Sequence, residues 1–439
     1  MGYDILAIAP TSFFADYGCH VRILEEGRAL ARRGHRVTVC TYHNGRDPEG
    51  VRVLRMPRVP WHAEVRVGSH YHKLYFDALL AARSLTAAIG RVDVVHAHMH
   101  DGALIGYLVS RLRRVPLVFD YQGSLTREMV DHQFLRESSP WFRPVAWLEQ
   151  MIERLPDAIL TSSTNAADAL RAARGRSGLP TSGSRIFQLA WQRKRARPSL
   201  GHETQNNGRW NGPPVEALVD GVDLDSFGPC DPAAVGRLRA RYRIPTGRDV
   251  VGYIGLMAEY QGVGQLLFAA RRVVERRPNT HFLIMGYPGW ERYQQQAHDL
   301  QILDHVTFTG RVPYEQCALH LALADVAVSA KQSASEANGK LLNYMAMGLP
   351  TVVYETPVAR ELLGDLGVYA APGDVAALAD ALLVLLDDPL RRAALGAALR
   401  QRVALHFSWD SVAARLEAVY TRLRTTATVA ATRQAALVD

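Results

Sequence analysis

The feature that most constrains the fold is an alternation of short apolar, β-branched runs with helical stretches, which stops once and then starts again. Strands separated by helices of this length are joined by right-handed crossovers, so they form parallel sheets covered on both faces. The pattern predicts six strands before the interruption, at Asp4–Ala9, Arg36–Tyr42, Val51–Arg55, Val92–His96, Leu117–Tyr121 and Ala158–Ser162. It predicts six more afterwards, at Val250–Ile254, His281–Met285, Val306–Phe308, Val326–Ser329, Pro350–Val353 and Gly367–Ala370. The sequence therefore predicts an α/β protein with two Rossmann-like, doubly wound domains.

The interruption covers residues 175–215, which have no clear period and contain several Gly and Pro residues. Such a stretch predicts an exposed, poorly ordered insertion. It divides the chain into a first domain over residues 1–216 and a second over residues 217–406. With 439 residues, the chain is long enough for two cores of ordinary size.

The net charge of +8 is concentrated in the first half of the chain. Residues 1–216 hold 29 Lys and Arg against 20 Asp and Glu, while residues 217–439 hold 22 against 23. Residues 175–215 alone hold seven basic residues and one acidic residue. Because the preference for arginine over lysine runs through the whole chain, we interpret it as composition and expect no nucleic-acid partner. Peripheral contact of the basic insertion with an anionic membrane stays open as an alternative to a tolerated loop.

The compartment is suggested by the cysteines and the N-terminus. Cys19, Cys40, Cys230 and Cys317 are far apart and form no Cys-x-x-Cys pair, so neither a disulfide framework nor a zinc cluster is indicated. No apolar run approaches the length of a membrane-spanning helix, and Met1–Pro10 lacks the features of a secretion signal. We therefore expect a cytoplasmic protein, in peripheral contact with the membrane if the insertion binds lipid.

Several short motifs follow one another in a fixed order along both predicted domains. They are Asp16–His20, Ala29–Val39, Asp93–His98, Leu218–Asp223, Val251–Gly255, Val306–Pro313, Lys340–Pro350 and Phe407–Asp410. In these residues and their order, the chain resembles the retaining GT-B glycosyltransferases called family 4.

The resemblance implies an acceptor-side first domain, a nucleotide-sugar-binding second domain, and a last helix over residues 407–425 that crosses back onto the first domain. It also implies transfer of a sugar from a UDP- or GDP-linked donor to a carbohydrate or lipid-linked acceptor, in glycan, glycolipid or polysaccharide synthesis. The reaction would retain the anomeric configuration and need no metal ion or other cofactor.

A transferase of this kind must hold a diphosphate and stabilise it as it leaves. Helix N-termini and glycine loops do this, because free backbone N–H groups face the anion. Asn338, Gly339 and Lys340 open a predicted helix, where Lys340 can place a positive charge beside the phosphates. Gly18 and Cys19 follow the first strand, so their amides are expected to reach the same diphosphate from the other domain. Cys19 is expected to be a small turn residue and not a nucleophile.

Further site residues follow from the family pattern, together with departures from it. The family usually carries two glutamates near the donor sugar and ribose, and the corresponding residues here are Glu336 and Asn343. After Gly255 the family's Arg and Lys are replaced by Leu256 and Gln261, which leaves Lys340 and Arg311 as the expected cations. Gln122 stands where the family often has a histidine, and His98 is expected at the acceptor edge of the cleft. These departures keep open a catalytically silent GT-B protein that binds a nucleotide sugar or a partner.

A third hypothesis comes from the alternating His96, His98 and His100, which would face one side of an extended segment next to Asp101. A His-x-His pair is a common metal-ligand arrangement, so a metal-dependent hydrolase is an alternative enzyme class. The sequence offers no compact set of further ligands. We therefore predict packing and hydrogen bonding for these histidines, and no metal site.

Overall fold

A computed structural model of the chain describes residues 2–61, 72–131, 134–174, 212–333 and 336–435. In this part of the chain, two parallel β-sheets lie between layers of helices, which confirms the predicted fold class.

The first sheet has seven strands in the order β3-β2-β1-β4-β5-β6-β7, all paired in parallel. Its strands are β1 Asp4–Ala9, β2 Arg36–Thr41, β3 Arg52–Arg55, β4 Val94–His98, β5 Leu117–Tyr121, β6 Ala158–Thr161 and β7 Val215–Ala217. The central strands are buried on both faces, as expected for a sheet that helices cover on each side.

The second sheet has six parallel strands in the order β10-β9-β8-β11-β12-β13. Its strands are β8 Asp249–Ile254, β9 Thr280–Met285, β10 Val306–Gly310, β11 Val326–Ser329, β12 Thr351–Tyr354 and β13 Val368–Ala370.

The helices of the first domain connect its strands. They are α1 Gly18–Arg32, α2 Lys73–Ala87, α3 Met99–Arg113, α4 Leu125–Asp131, α5 Phe142–Ile152 and α6 Thr164–Arg174. The helices after β7 are α7 Pro232–Arg241, α8 Val263–Arg276, α9 Glu291–Asp299, α10 Cys317–Leu321, α11 Lys340–Ala346, α12 Pro357–Leu363, α13 Val375–Leu386, α14 Pro389–His406 and α15 Trp409–Ala435. Of these, α8 presents an apolar stripe to the core, since Leu266, Leu267, Ala270 and Val273 are buried.

The strand orders fix where a ligand can bind. In the first sheet the winding reverses between β1 and β4, and in the second between β8 and β11. Ligands of doubly wound sheets bind at the carboxyl ends of the strands at such a reversal, where the outgoing loops separate. The loops after β1, β8 and β11 carry Gly18, Gly255 and Asn338, respectively.

The last helix returns to the first domain. Phe407 and Ser408 directly precede this helix. Val222 forms a β-bridge with Ser408, and the Val222 N–H donates to the Phe407 carbonyl over 2.9 Å. On α15, Glu417 pairs with Arg33 at the end of α1 at 2.6 Å. This helix was expected over residues 407–425, and it extends from Trp409 to Ala435.

Two sequence expectations change in detail. β4 begins two residues later than expected and includes His98, because Asp93 binds the N–H of Asp4 outside the strand. Val215, which was assigned to the insertion, opens β7 and pairs with Ile159 of β6. The insertion up to residue 211, including Arg193–Arg197, lies outside the described residues. Among the helices of the described residues, none is long and apolar enough to span a bilayer.

Candidate active site

A cleft with a cavity of about 360 Å³ lies between the carboxyl ends of the two sheets. Residues of both domains line it, including Gly18, Cys19 and Gln122 from the first and Gly255, Gln261, Asn338, Gly339, Lys340 and Asn343 from the second. Most of the residues that the sequence predicted for the donor site are therefore in one place. Glu336 lines the same cavity.

Lys340 is the first residue of α11, and its side chain crosses the second domain's wall of the cleft. Its Nζ donates to Gln261 Oε1 over 2.8 Å and lies 4.5 Å from the centre of the Tyr253 ring. Burial lowers the pKa of Lys340 well below its usual value; the nearby Lys331 adds to this effect and Glu336 opposes it. In the described part of the chain, no carboxylate lies within ion-pair distance of this ammonium group. Such a poorly compensated cation is stabilised when an anion enters the cavity.

Gly255 is required by the position of Lys340. A Cβ atom on Gly255 would lie 2.6 Å from the Lys340 Nζ, so any larger residue would displace the ammonium group. Gly339 faces the segment that links the two domains, since a Cβ there would approach the Asp220 carboxylate at 3.5 Å. Both glycines keep the backbone close to the cavity.

A second lysine stands beside the first. Lys331 follows β11 directly, forms an ion pair with Glu336 at 2.8 Å and donates to the Ala337 carbonyl over 2.7 Å. The Asn338 side chain is buried and donates to Ser329 Oγ over 3.2 Å, which holds the start of α11 against β11. This wall of the cleft therefore presents two ammonium groups with one carboxylate near them.

On the opposite wall, α1 begins at Gly18 after the Tyr17 cap. The first N–H groups of an α-helix have no partner within the helix, and those of Gly18 and Cys19 stand at the cavity. Burial, together with the nearby Glu128 carboxylate, raises the pKa of the Cys19 thiol to about 12. The thiol therefore stays protonated, in line with the expectation that Cys19 is not a nucleophile.

Behind this wall lies a buried charge network that the sequence analysis did not identify. The Arg22 guanidinium pairs with Asp120 at 2.8 Å and also contacts Asp220, which follows β7. Glu26, one turn further on α1, approaches the same guanidinium at 3.1 Å. Burial raises the pKa of the Glu26 carboxyl well above its usual value, although Arg22 acts in the opposite direction. Through the Arg22 guanidinium, the network connects α1, β5 and the segment that links the two domains.

His98 is placed differently from the expectation. It is buried behind the wall, where its Nδ1 hydrogen bonds with Asp120 over 3.0 Å, and it does not line the cavity. The physical reason is the two-residue shift of β4, which draws His98 into the sheet. Gln122 does line the cavity and donates to the same Asp120 over 2.8 Å.

Arg311 also differs from the expectation, since it does not line the cavity. Its guanidinium donates to the Asp16 carboxylate of the first domain over 2.6 Å and lies over the Tyr287 ring. The Tyr314 N–H also donates to Asp16, over 3.0 Å. Arg311 therefore holds the two domains together, and the cation nearest to Lys340 is Lys331.

The three histidines of the metal hypothesis do not form one set. The rings of His96 and His98 are stacked with centres 4.6 Å apart, whereas His100 belongs to α3 and packs against Phe119 and Tyr121. The expectation that all three face one side of a strand is wrong, because β4 ends at His98.

Carboxylates lie close to His96 and His98 and also close to His100. Donor atoms of Glu26, His96 and His98 lie within 4.8 Å of one another, and so do those of His100, Glu149 and Glu153. His96 bonds to Tyr420, His98 to Asp120, and Glu149 caps the start of α4, so these side chains already have structural roles.

Lys331 and Arg22 are two of the charged cavity residues that the sequence analysis did not predict. Lys331 could have been found, because it is one of four lysines and directly follows a predicted strand, where ligand-binding residues concentrate. Arg22 gives no such signal. Its position on a helix face became meaningful only when the fold brought Asp120 and Asp220 beside it.

Two family models match the chain. The model for glycosyl transferases group 1 matches residues 235–402, and the model for a glycosyl transferase 4-like domain matches residues 17–180. Together they cover both halves of the cleft.

Two curated relatives differ in how much of the chain they match. A GDP-mannose-dependent alpha-(1-6)-phosphatidylinositol monomannoside mannosyltransferase from Mycobacterium tuberculosis is 34% identical over 211 residues, 46% of this chain and 54% of the relative. The chain thus spans about half the length of that relative. A 2-deoxystreptamine N-acetyl-D-glucosaminyltransferase from Streptomyces fradiae is 27% identical over 435 residues, covering 94% of this chain and 93% of the relative.

Solved structures agree with the fold. Sucrose-phosphate synthase from Thermosynechococcus elongatus superposes with a TM-score of 0.73 at 18% identity, over 97% of this chain and all of the other. The Anabaena protein HepE, in complex with UDP and glucose, gives a TM-score of 0.69 at 15% identity, over 96% and 100%. At such identities these likenesses describe the fold alone.

Proposed function

Since the chain belongs to the group 1 glycosyltransferases of the GT-B type, we propose that it transfers a sugar from a nucleotide-sugar donor to an acceptor hydroxyl held by the first domain. The observation that carries this proposal is Lys340, a cation without a carboxylate partner in the described residues, facing the α1 N-terminus across one cleft. A diphosphate between them would meet an ammonium group on one side and free amides on the other.

The proposed donor is UDP- or GDP-linked. Both kinds occur in the names of similar proteins, since the mycobacterial relative is GDP-mannose-dependent and HepE was solved with UDP. In this proposal Lys340 and Lys331 face the diphosphate, and Glu336 and Asn343 hydrogen bond with sugar or ribose hydroxyls. The acceptor would be a carbohydrate or a lipid-linked molecule in glycan or glycolipid synthesis.

We further propose that the reaction retains the anomeric configuration and needs no metal ion. As the bond between the sugar and the diphosphate breaks, negative charge grows on the leaving phosphate, and the ammonium groups stabilise that charge. The acceptor hydroxyl forms the new glycosidic bond and gives its proton to the leaving phosphate. Closure of the domains keeps water out and limits hydrolysis of the donor.

The test is a thermal-shift screen of UDP- and GDP-sugars followed by measurement of nucleotide release. A true donor raises the melting temperature, by an amount that grows with the logarithm of the ratio of its concentration to its Kd. Lys340→Met keeps the side-chain length and removes the charge, so we expect it to lower turnover by about 10²–10³-fold. Arg272→Ala, at an exposed position of α8, is the matched control and should behave like the wild type.

The main competing function is a silent GT-B protein that binds a nucleotide sugar without reaction. Gln261 and Leu256 motivate it, because they leave fewer cations in the cleft than the family pattern provides. Binding of a donor with no nucleotide release, with or without candidate acceptors, would favour this reading over transfer.

A further inference from the structure

Two neighbouring helices of the first domain leave an unusual number of large apolar side chains in solvent. α3 packs against α5, and both helices bury their inner faces in one hydrophobic cluster through Ile105, Val109 and Ile152. Their outer surface, named here the α3–α5 face, exposes Leu104, Leu108, Leu112, Trp147, Leu148 and Met151. A soluble protein rarely keeps such a contiguous apolar surface without a partner.

The spacing aligns the exposed side chains along each helix. Leu104, Leu108 and Leu112 are four residues apart, so they form one stripe along α3. Trp147, Leu148 and Met151 occupy the outer side of α5 in the same way. The most exposed of these, Leu112 and Trp147, keep 63% and 57% of their surface accessible.

Exposed arginines lie on the same two helices or just beyond their ends. They are Arg111, Arg113, Arg114, Arg143 and Arg154. Of the carboxylates on and just after these helices, Asp101 pairs with Lys73, Glu149 and Glu153 are buried, and Asp157 lies 4.0 Å from Arg111. The exposed charge beside the apolar side chains is therefore strongly positive.

Exposed apolar side chains next to arginines favour one kind of binding partner. A second copy of the chain would bring the same arginines against one another, and like charges repel. An anionic bilayer satisfies both properties, because tryptophan and leucine enter the headgroup region while arginine binds lipid phosphates. We propose that the α3–α5 face docks the protein onto an anionic membrane surface.

The α3–α5 face lies close to the cavity, so docking at this face has a consequence for the function. α3 begins with Met99, His100 and Asp101, which line the cavity, and Leu104 lies one turn further along the same helix. Leu125 of α4, which packs against α5, also lines the cavity. Membrane docking would thus bring the acceptor half of the cleft to the lipid surface. This step rests on the proposed function and makes a lipid-linked acceptor the class that the protein uses.

The experiment is co-sedimentation of the full chain with vesicles of phosphatidylglycerol and phosphatidylcholine, compared with vesicles of phosphatidylcholine alone. We expect binding to the anionic vesicles only, weakened by salt. The double variant Trp147→Glu/Leu148→Glu should lower the affinity by about tenfold or more. Leu390→Glu, at an exposed leucine of the second domain, is the matched control and should bind like the wild type.

Three results would overturn the proposal. They are no binding to anionic vesicles, equal binding by the double variant and the wild type, and a concentration-dependent dimer in analytical ultracentrifugation that the double variant abolishes. Binding of a nucleotide-sugar donor in the thermal-shift screen, measured without vesicles, separates this proposal from the proposed function. A double variant that keeps donor binding but loses vesicle binding supports docking, whereas vesicle binding by a wild-type protein that binds no donor leaves docking intact and overturns the proposed function.

Discussion

At the scale of single residues, the proposed chemistry depends most on Lys340. Its ammonium group is held by Gln261 and the Tyr253 ring, both uncharged, so it depends on a ligand for full compensation of its charge. Gly255 leaves the space that it occupies. The same arrangement makes binding of a diphosphate sensitive to pH.

The first prediction follows from the pKa of Lys340. Because burial lowers that pKa in the free protein, a growing fraction of Lys340 is neutral as the pH rises, and an anion must then bind together with a proton. We expect the affinity for UDP or GDP to fall with rising pH, by at most about tenfold per pH unit.

Calorimetry in two buffers of different ionisation heat measures this effect as proton uptake on binding. Lys340→Met should bind more weakly and take up fewer protons. Equal proton uptake by wild type and variant would remove Lys340 from the linkage.

The sequence predicted which residues belong to the cleft better than it predicted where each of their side chains lies. Gly18, Gln261, Asn338 and Lys340 were selected from motifs next to predicted strand ends, and they meet in one cleft. Arg311 was selected in the same way, yet it faces Asp16, because its contact depends on how the two domains close. No spacing within one domain contains that information.

At the scale of elements, side-chain hydrogen bonds from α1 hold the loop between β1 and α1. His20 on the first turn of α1 accepts from the Ala15 N–H over 2.9 Å and hydrogen bonds with Thr11 over 2.6 Å. These bonds fix the loop that carries Asp16 and Tyr17.

The second prediction concerns acid stability. Burial lowers the pKa of His20 to about 3, although the nearby Asp16 carboxylate opposes this shift. The unfolded chain protonates His20 below its ordinary pKa of about 6.5, whereas the folded chain does not, so stability falls as the pH drops from 6.5 towards 3.

Urea unfolding at pH 7.5 and pH 5 measures the slope. We expect a smaller loss of unfolding free energy for His20→Gln than for the wild type, with a remaining slope from other buried histidines such as His281. An identical slope in both proteins would contradict the neutral, buried state assigned to His20.

The strands could be predicted from the sequence because a buried parallel strand is a short apolar run bounded by polar residues. β7 could not, since its three residues follow Pro213 and Pro214 at the end of an aperiodic stretch. It is a strand because β6 offers a free edge, and Val215 supplies the apolar side chain that the first core accepts.

At the scale of the whole molecule, Asp16 joins the two domains. It accepts from Arg311 and the Tyr314 N–H of the second domain and from Arg46 of the first. Burial alone would raise the pKa of the Asp16 carboxyl, but these three donors hold it below its usual value. The Tyr17 and Tyr287 rings, stacked with centres 5.4 Å apart, add a second contact beside it.

The third prediction tests this junction. Asp16→Asn removes the charge that Arg311 and Arg46 share, so the open arrangement of the domains becomes more populated. We expect the KM for the donor to rise about tenfold, in line with the roughly 1.5–3 kcal/mol of a hydrogen bond to a charged group.

The radius of gyration from small-angle scattering should increase in the same variant and return towards the wild-type value with saturating donor. Asp365→Asn, at a fully exposed carboxylate, is the control. Unchanged scattering and an unchanged KM would show that Asp16 does not govern closure.

The central claim is that one diphosphate binds between the start of α1 and the start of α11. Amide hydrogen exchange with and without UDP and GDP tests it most directly, since it reports both segments in one experiment. We expect slower exchange in the peptides containing Gly18–Cys19 and Gly339–Lys340, and no change in the mostly exposed α7. Nucleotide binding that leaves both segments unprotected, or that protects a surface away from the cleft, would contradict it.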